Sequence, residues 1–138
     1  MSFIVDTPPV VVDASAAIEL LGGDARWRET FELWAAEDRI LLSPALFLTE
    51  VANGQLRGQK APARDVALRI EGLAASGIET ADRGLRGLLE AIDLADRHGL
   101  TVYDALYLQL ALDVGGELAT LDKELVRATE AEGVAVTG

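Results

Sequence analysis

Hydrophobic and polar positions change in short blocks along the chain. Val10-Val11-Val12 is an unbroken β-branched run that ends on Asp13, and the helix-favouring Ala14-Ser15-Ala16-Ala17 follows at once. This predicts a strand buried on both faces with Asp13 at its carboxyl end, then a helix to about Leu21, stopped by Gly22-Gly23. Phe3-Ile4-Val5-Asp6 mimics the pattern, but Thr7-Pro8-Pro9 follows it. Two prolines do not open a helix as alanines do, so residues 1–9 read as a short leader and Asp13, not Asp6, as the position of interest.

Further along, Asp24 caps a second helix in which Trp27, Phe31 and Trp34 form one apolar stripe. Ile40-Leu41-Leu42 reads as a strand. Ser43-Pro44 reads as an N-cap with proline in the first turn of a helix from Ala45 to about Leu56, carrying Glu50. Gly54 to Pro62 reads as a loop, and a helix with Val66, Ile70 and Leu73 on one side runs to about Ala75. Gly77 to Thr80 is a third strand. Leu85, Leu88, Leu89, Ile92 and Ala95 predict an amphipathic helix ending at His98-Gly99. Thr101 begins a helix that is apolar nearly all round, and such a helix is buried. Glu117 to Thr120 and Gly133 to Val136 are the last strands, with a helix after Asp122 between them.

Strands alternating with helices imply an α/β fold: a three-layer α/β/α sandwich around a mostly parallel sheet of about five strands, with about seven helices. The 138 residues are expected to form a single domain. Half of them are hydrophobic, but aromatics are few, so the core is aliphatic. There is no cysteine, which excludes disulfides and thiolate metal sites. No apolar run approaches the roughly 20 residues of a membrane span, and the N-terminus lacks the features of a signal peptide, so a cytoplasmic location is expected. The formal net charge of −11 speaks against a broad nucleic-acid-binding surface and for a basic partner or bound cations.

Four acids stand out. Asp13 and Asp122 follow strands, and ligands of open parallel sheets sit at the carboxyl ends of strands. Each also has the simpler reading of a helix N-cap. Asp104 lies in the first turn of the apolar helix, where Thr101-x-x-Asp104 also resembles a capping box. Glu50 sits among Leu46, Phe47 and Leu48, where a carboxylate is costly unless paired, coordinated or reaching solvent; Asn53 at i+3 is placed to orient it. Two carboxylates about 4 Å apart repel by about 4 kcal/mol at an effective dielectric of about 20. If the four converge, they need a divalent cation, and all-oxygen ligands favour Mg²⁺ or Mn²⁺ over zinc. His98, beside a helix end, reads as a surface residue.

Val10-Val11-Val12-Asp13-Ala14-Ser15, Leu48-Thr49-Glu50-Val51-Ala52-Asn53, Leu100-Thr101-Val102-Tyr103-Asp104-Ala105-Leu106-Tyr107 and Leu118-Ala119-Thr120-Leu121-Asp122 together resemble the PIN-domain ribonucleases. More narrowly, they resemble the VapC toxins of toxin–antitoxin pairs. The resemblance covers essentially the whole chain. It implies a PIN-like sandwich in which Asp13, Glu50, Asp104 and Asp122 bind Mg²⁺ or Mn²⁺ and carry catalysis, with Ser15, Asn53 and Thr120 supporting them. It also implies a homodimeric toxin held inactive by a VapB-type antitoxin, cleaving RNA by metal-assisted phosphodiester hydrolysis.

An acidic site does not attract RNA by itself. Arg57, Lys60, Arg64 and Arg69 form the densest basic run and are the candidate phosphate contacts, of which Arg57, Lys60 and Arg64 are the leading ones. Two rival functions compete. A phosphoacceptor-Asp phosphatase wants a second acid two residues after Asp13, where Ser15 stands, and a receiver-like domain wants an acidic pair before it. A non-catalytic acidic module would merely sequester a basic partner.

Overall fold

The computed structural model describes residues 7–138. Its elements in order are β1 (Val10–Val12), α1 (Ala14–Leu21), α2 (Ala25–Ala36), β2 (Leu41–Ser43), α3 (Phe47–Asn53), a π-helical turn (Gly54–Gly58), α4 (Ala63–Ala74), β3 (Ile78–Thr80), α5 (Gly84–His98), α6 (Val102–Val114), β4 (Glu117–Ala119), α7 (Lys123–Ala131) and β5 (Val136–Thr137). The leader residues Met1 to Asp6 lie outside the described part.

All strand pairs are parallel, and the order is β3-β2-β1-β4-β5. β1 is therefore central, which is why its three valines are fully buried. The chain winds outward from β1 to β2 and β3, returns to β4 on the other side, and ends at β5. Right-handed crossovers in opposite directions place two groups of helices on opposite faces. Accordingly α1 to α4 pack among themselves, and α5 to α7 among themselves. The result is the α/β/α sandwich that the alternation of elements predicts. The aromatic stripe of α2 is a packed unit: Trp27 and Trp34 are buried, with Phe31 edge-on to both.

Two expectations are corrected, and one helix presents its apolar stripe to a side that the sequence does not specify. Ser43 does not cap a helix. It is the last residue of β2, and its buried hydroxyl donates to the Val12 carbonyl oxygen at 2.7 Å, a partner that the parallel neighbour supplies and a cap would forfeit. The helix starts instead at Phe47, after a turn through Pro44.

Gly54 to Pro62 is not all loop. Gly54–Gly58 continues α3 as a π-helical turn, because fully buried Gln55 ties it down: Gln55 Oε1 accepts from Arg69 at 2.5 Å, and its Nε2 donates to Gln59 at 2.6 Å. Arg69 is thus committed to packing α4 against this turn.

The leucine stripe of α5 does not face the core. Leu85, Leu88, Leu89 and Ile92 are exposed, while Gly87, Ala91, Leu94 and Ala95 are buried on the side toward α6. A Cβ on Gly87 would stand 2.9 Å from Arg83 Cβ and 3.2 Å from Gln109 Oε1. Gly87, Ala91 and Ala95 let α6 approach closely, Leu94 is the one leucine of α5 that is buried, and the other large residues are left outside.

Candidate active site

The sheet order reverses at the junction of β1 and β4, so the crevice beyond their carboxyl ends is where an open α/β sheet accepts ligands. Register pairs Val12 with Ala119, so the residues that follow, Asp13 and Thr120, emerge side by side. The Asp13 N–H donates to the Ala119 carbonyl at 2.9 Å and extends the ladder by one step.

Asp13 is 4 % exposed. It occupies the N-cap position of α1 but makes no capping hydrogen bond. Its Oδ2 accepts instead from Thr120 Oγ1 at 2.6 Å and Ser15 Oγ at 2.8 Å. Both hydroxyls are themselves oriented: Ser15 Oγ accepts from the Leu121 N–H at 2.9 Å, and Thr120 Oγ1 from the Asp122 N–H at 3.1 Å. One carboxylate oxygen is thereby saturated by neutral donors, and the Ala14 N–H is a further backbone donor to the group.

Asp122 does act as a helix cap, accepting from the Leu125 N–H at 3.0 Å. For Asp104 only half of the capping box forms. Thr101 Oγ1 accepts from the Asp104 N–H at 3.1 Å, and the Asp104 carboxylate makes no reciprocal bond among the described residues. That carboxylate is half-buried at the N-terminus of α6. Glu50 reaches the same place from α3, across the top of the sheet. Its Oε1 accepts from the Tyr107 hydroxyl at 2.6 Å.

The four acids share one electrostatic environment. Burial pushes the Asp13 carboxyl above its ordinary range; the Thr120 and Ser15 hydroxyls pull it back, and the Asp122 charge adds to the rise. Burial likewise raises Glu50; the Tyr107 hydroxyl opposes the rise, and the charges of Asp13 and Asp104 reinforce it. Burial raises Asp104 as well, helped by Asp122 and Asp13. None of these causes is a neighbouring cation. The Tyr107 phenol, buried and facing Glu50, is pushed far above its usual value and keeps its proton.

The spacing is open. Among the described residues no three acids stand close enough to enclose a bare ion. Such a donor set suits a hard divalent cation that keeps most of its water and is held through one or two carboxylates, as Mg²⁺ usually is.

The remaining candidates lie elsewhere. Asn53 is exposed and does not bond Glu50; Tyr107 takes that role. Arg57, Lys60 and Arg64 are exposed on and beyond the π-helical turn, with Lys60 in a left-handed backbone conformation (φ 54°). None of the three bonds an acid of the crevice. His98 is partly buried rather than a free surface residue, its ring 2.7 Å from Glu132. Sequence reasoning missed Tyr107 because it counted as one more apolar residue of α6. The available signal was its spacing of three from Asp104, which puts both on one helix face.

The PIN-domain family profile matches residues 10–131. A 38-residue stretch is 55 % identical to Ribonuclease VapC3 of Pyrobaculum aerophilum; it spans 28 % of this chain and 29 % of that relative. The fold is similar to the crystal structure of PAE2754 from Pyrobaculum aerophilum, with a TM-score of 0.70 and 26 % identity over 94 % of this chain and 89 % of the other. It is also similar to Mycobacterium tuberculosis VapC20, described as a sarcin-ricin loop cleaving toxin. That likeness has a TM-score of 0.69 and 17 % identity over 86 % of this chain and 94 % of the other, and it concerns the fold alone. With its central β1, its acids at the sheet's carboxyl edge and a family match over most of its length, the chain belongs to the PIN-domain family.

Proposed function

We propose that this protein is a Mg²⁺- or Mn²⁺-dependent endoribonuclease of the VapC type, the toxin of a toxin–antitoxin pair acting in the cytoplasm. The observation that carries this reading is the gathering of Asp13, Glu50, Asp104 and Asp122 at one sheet edge without a neutralising cation among them.

In this reading Asp13 and Asp104 hold the ion, while Glu50 and Asp122 complete its surroundings or hold its waters. A bound divalent ion supplies charge stabilisation at the phosphoryl oxygens and a water acidified for in-line attack. Ser15 and Thr120 fix the rotation of the Asp13 carboxylate. Arg57, Lys60 and Arg64 offer exposed charges to the RNA backbone and offset the repulsion of the acidic edge. An antitoxin would bring a basic segment to the crevice, for which the same carboxylates are the complement. The exposed leucines of α5 supply the apolar surface that a homodimer requires. No helix among the described residues is long and apolar enough to cross a membrane.

The test is cleavage of labelled RNA by antitoxin-free protein with Mg²⁺, with Mn²⁺ and with chelator, using Asp104→Asn as the control for contaminating nuclease. Cleavage that needs metal and disappears in the variant supports the reading. Metal-independent cleavage, or equal cleavage by the variant, refutes it. Failure to bind metal at all would favour the sequestering module.

A further inference from the structure

We propose that Tyr107 is a positioning residue of the acidic site: its hydroxyl takes one acceptor position of Glu50 Oε1, so that Glu50 faces the crevice in one orientation and Oε2 is the oxygen left freest for a cation or its waters. The inference rests on the metal-dependent reading above and deepens it.

Three observations carry it. The hydrogen bond is short, 2.6 Å, and joins two elements 57 residues apart in sequence, α3 and α6. The Tyr107 side chain is fully buried in the core, and packing holds its two side-chain torsions so that the hydroxyl lies at Glu50, beside the Ala14 backbone. Tyr107 also follows Asp104 by three residues, so one face of α6 carries an acid of the site and the anchor of another. Any shift of α6 moves both together. Chelation through both oxygens of Glu50 would compete with the phenol for Oε1, so the arrangement favours single-point contact. Partners of this kind, one step removed from the ion, commonly contribute about 10–100-fold to metal affinity.

The experiment measures Mn²⁺ binding to metal-free protein by calorimetry, for wild type, Tyr107→Phe, Glu50→Gln and the double variant, with exposed Tyr103→Phe as control. The expected result is binding about 10–100-fold weaker in Tyr107→Phe, unchanged in Tyr103→Phe, and no weaker in the double variant than in Glu50→Gln alone. Wild-type affinity in Tyr107→Phe overturns the inference and leaves the metal site standing, as does a loss that adds in full to that of Glu50→Gln. Absence of saturable binding in the wild type overturns both readings.

A second measurement does not depend on the folding of Tyr107→Phe. The chain has two tyrosines, so 3-fluorotyrosine labelling gives two fluorine signals. The Tyr107 signal should move on adding Mg²⁺ and in Glu50→Gln, while that of Tyr103 stays. A Tyr107 signal indifferent to both overturns the inference.

Discussion

α5 and α6 lie side by side on one face of the sheet, and they use hydrophobic residues in opposite ways. α6 is apolar nearly all round and mostly buried; at its site end Asp104 enters the crevice and Tyr107 holds Glu50, while Gln109 and Asp113 further along bond Glu90 and Arg83. α5 has a strong apolar stripe, yet that stripe is outside, and the face against α6 is built from Gly87, Ala91, Leu94 and Ala95. Periodicity locates an apolar face but does not say what covers it. Between two close-packed helices the steric limit favours small residues, so Leu85, Leu88, Leu89 and Ile92 are free for another surface.

The largest expected effect belongs to α6. Asp104→Asn should lower RNA cleavage by about a hundredfold or more, since even partners one step removed from a metal commonly contribute up to about that much. Initial rates at saturating Mn²⁺ check this. The contrast with α5 would collapse if Asp104→Asn cut RNA normally.

On α5, Leu89→Glu tests the proposed homodimer: if the outer stripe forms it, the variant is expected to sediment as a monomer where the wild type sediments as a dimer, with helical circular dichroism unchanged. Leu89 is 57 % exposed, so a charge there costs a lone chain little. A wild type that sediments as a monomer at micromolar concentration would leave the outer stripe unexplained by self-association.

Gly87→Val should lower stability by about 1–3 kcal/mol, the usual range for overpacking, because the added side chain meets Gln109 and the Arg83 Cβ. Thermal melts of wild type and variant read it directly. A neutral result would mean that the seam between the two helices yields.

The smallest effect is a pH dependence. Asp13, Glu50 and Asp104 have carboxyl groups raised in the folded state, chiefly by burial. The folded chain therefore binds their protons more tightly than the unfolded chain. Their contribution to stability is fully present below the unfolded carboxylate range and lost as pH rises through the raised values. Metal-free protein should melt at higher temperature as pH falls from neutral toward 5, Asp104→Asn should flatten the trend, and Mn²⁺ should reverse it at neutral pH. A metal-free stability indifferent to pH and to Asp104→Asn would mean that the folded state does not raise these carboxyl groups.

Much of the fold could be read ahead of the structure where the cause is local. Three consecutive valines can only be buried on both sides, and Ala14 to Ala17 after Asp13 can only turn into a helix, so the junction that seats Asp13 was plain. The Trp27, Phe31 and Trp34 stripe was equally local. What stayed hidden depends on partners far along the chain. Ser43 looked like a cap until β1 supplied the Val12 carbonyl, and Gln55 looked like loop until Arg69 arrived from α4. The support for Glu50 was sought three residues away, at Asn53, and came from α6. The outward leucines of α5 were invisible because the sequence records their spacing and not their neighbour.

β5 runs parallel to β4 and ends at the edge where the acids stand; the Thr120 N–H donates to the Thr137 carbonyl at 3.0 Å, and a Cβ on Gly138 would lie 2.5 Å from the Thr120 oxygen. Pro8, held by Arg39, sits at the opposite pole, where β1 begins. The last described residues therefore lie against the backbone of Thr120, whose side chain holds Asp13, whereas Pro8 lies at the other end of the strands. A change in the last strand would thus reach the acidic edge through one backbone hydrogen bond and one hydroxyl.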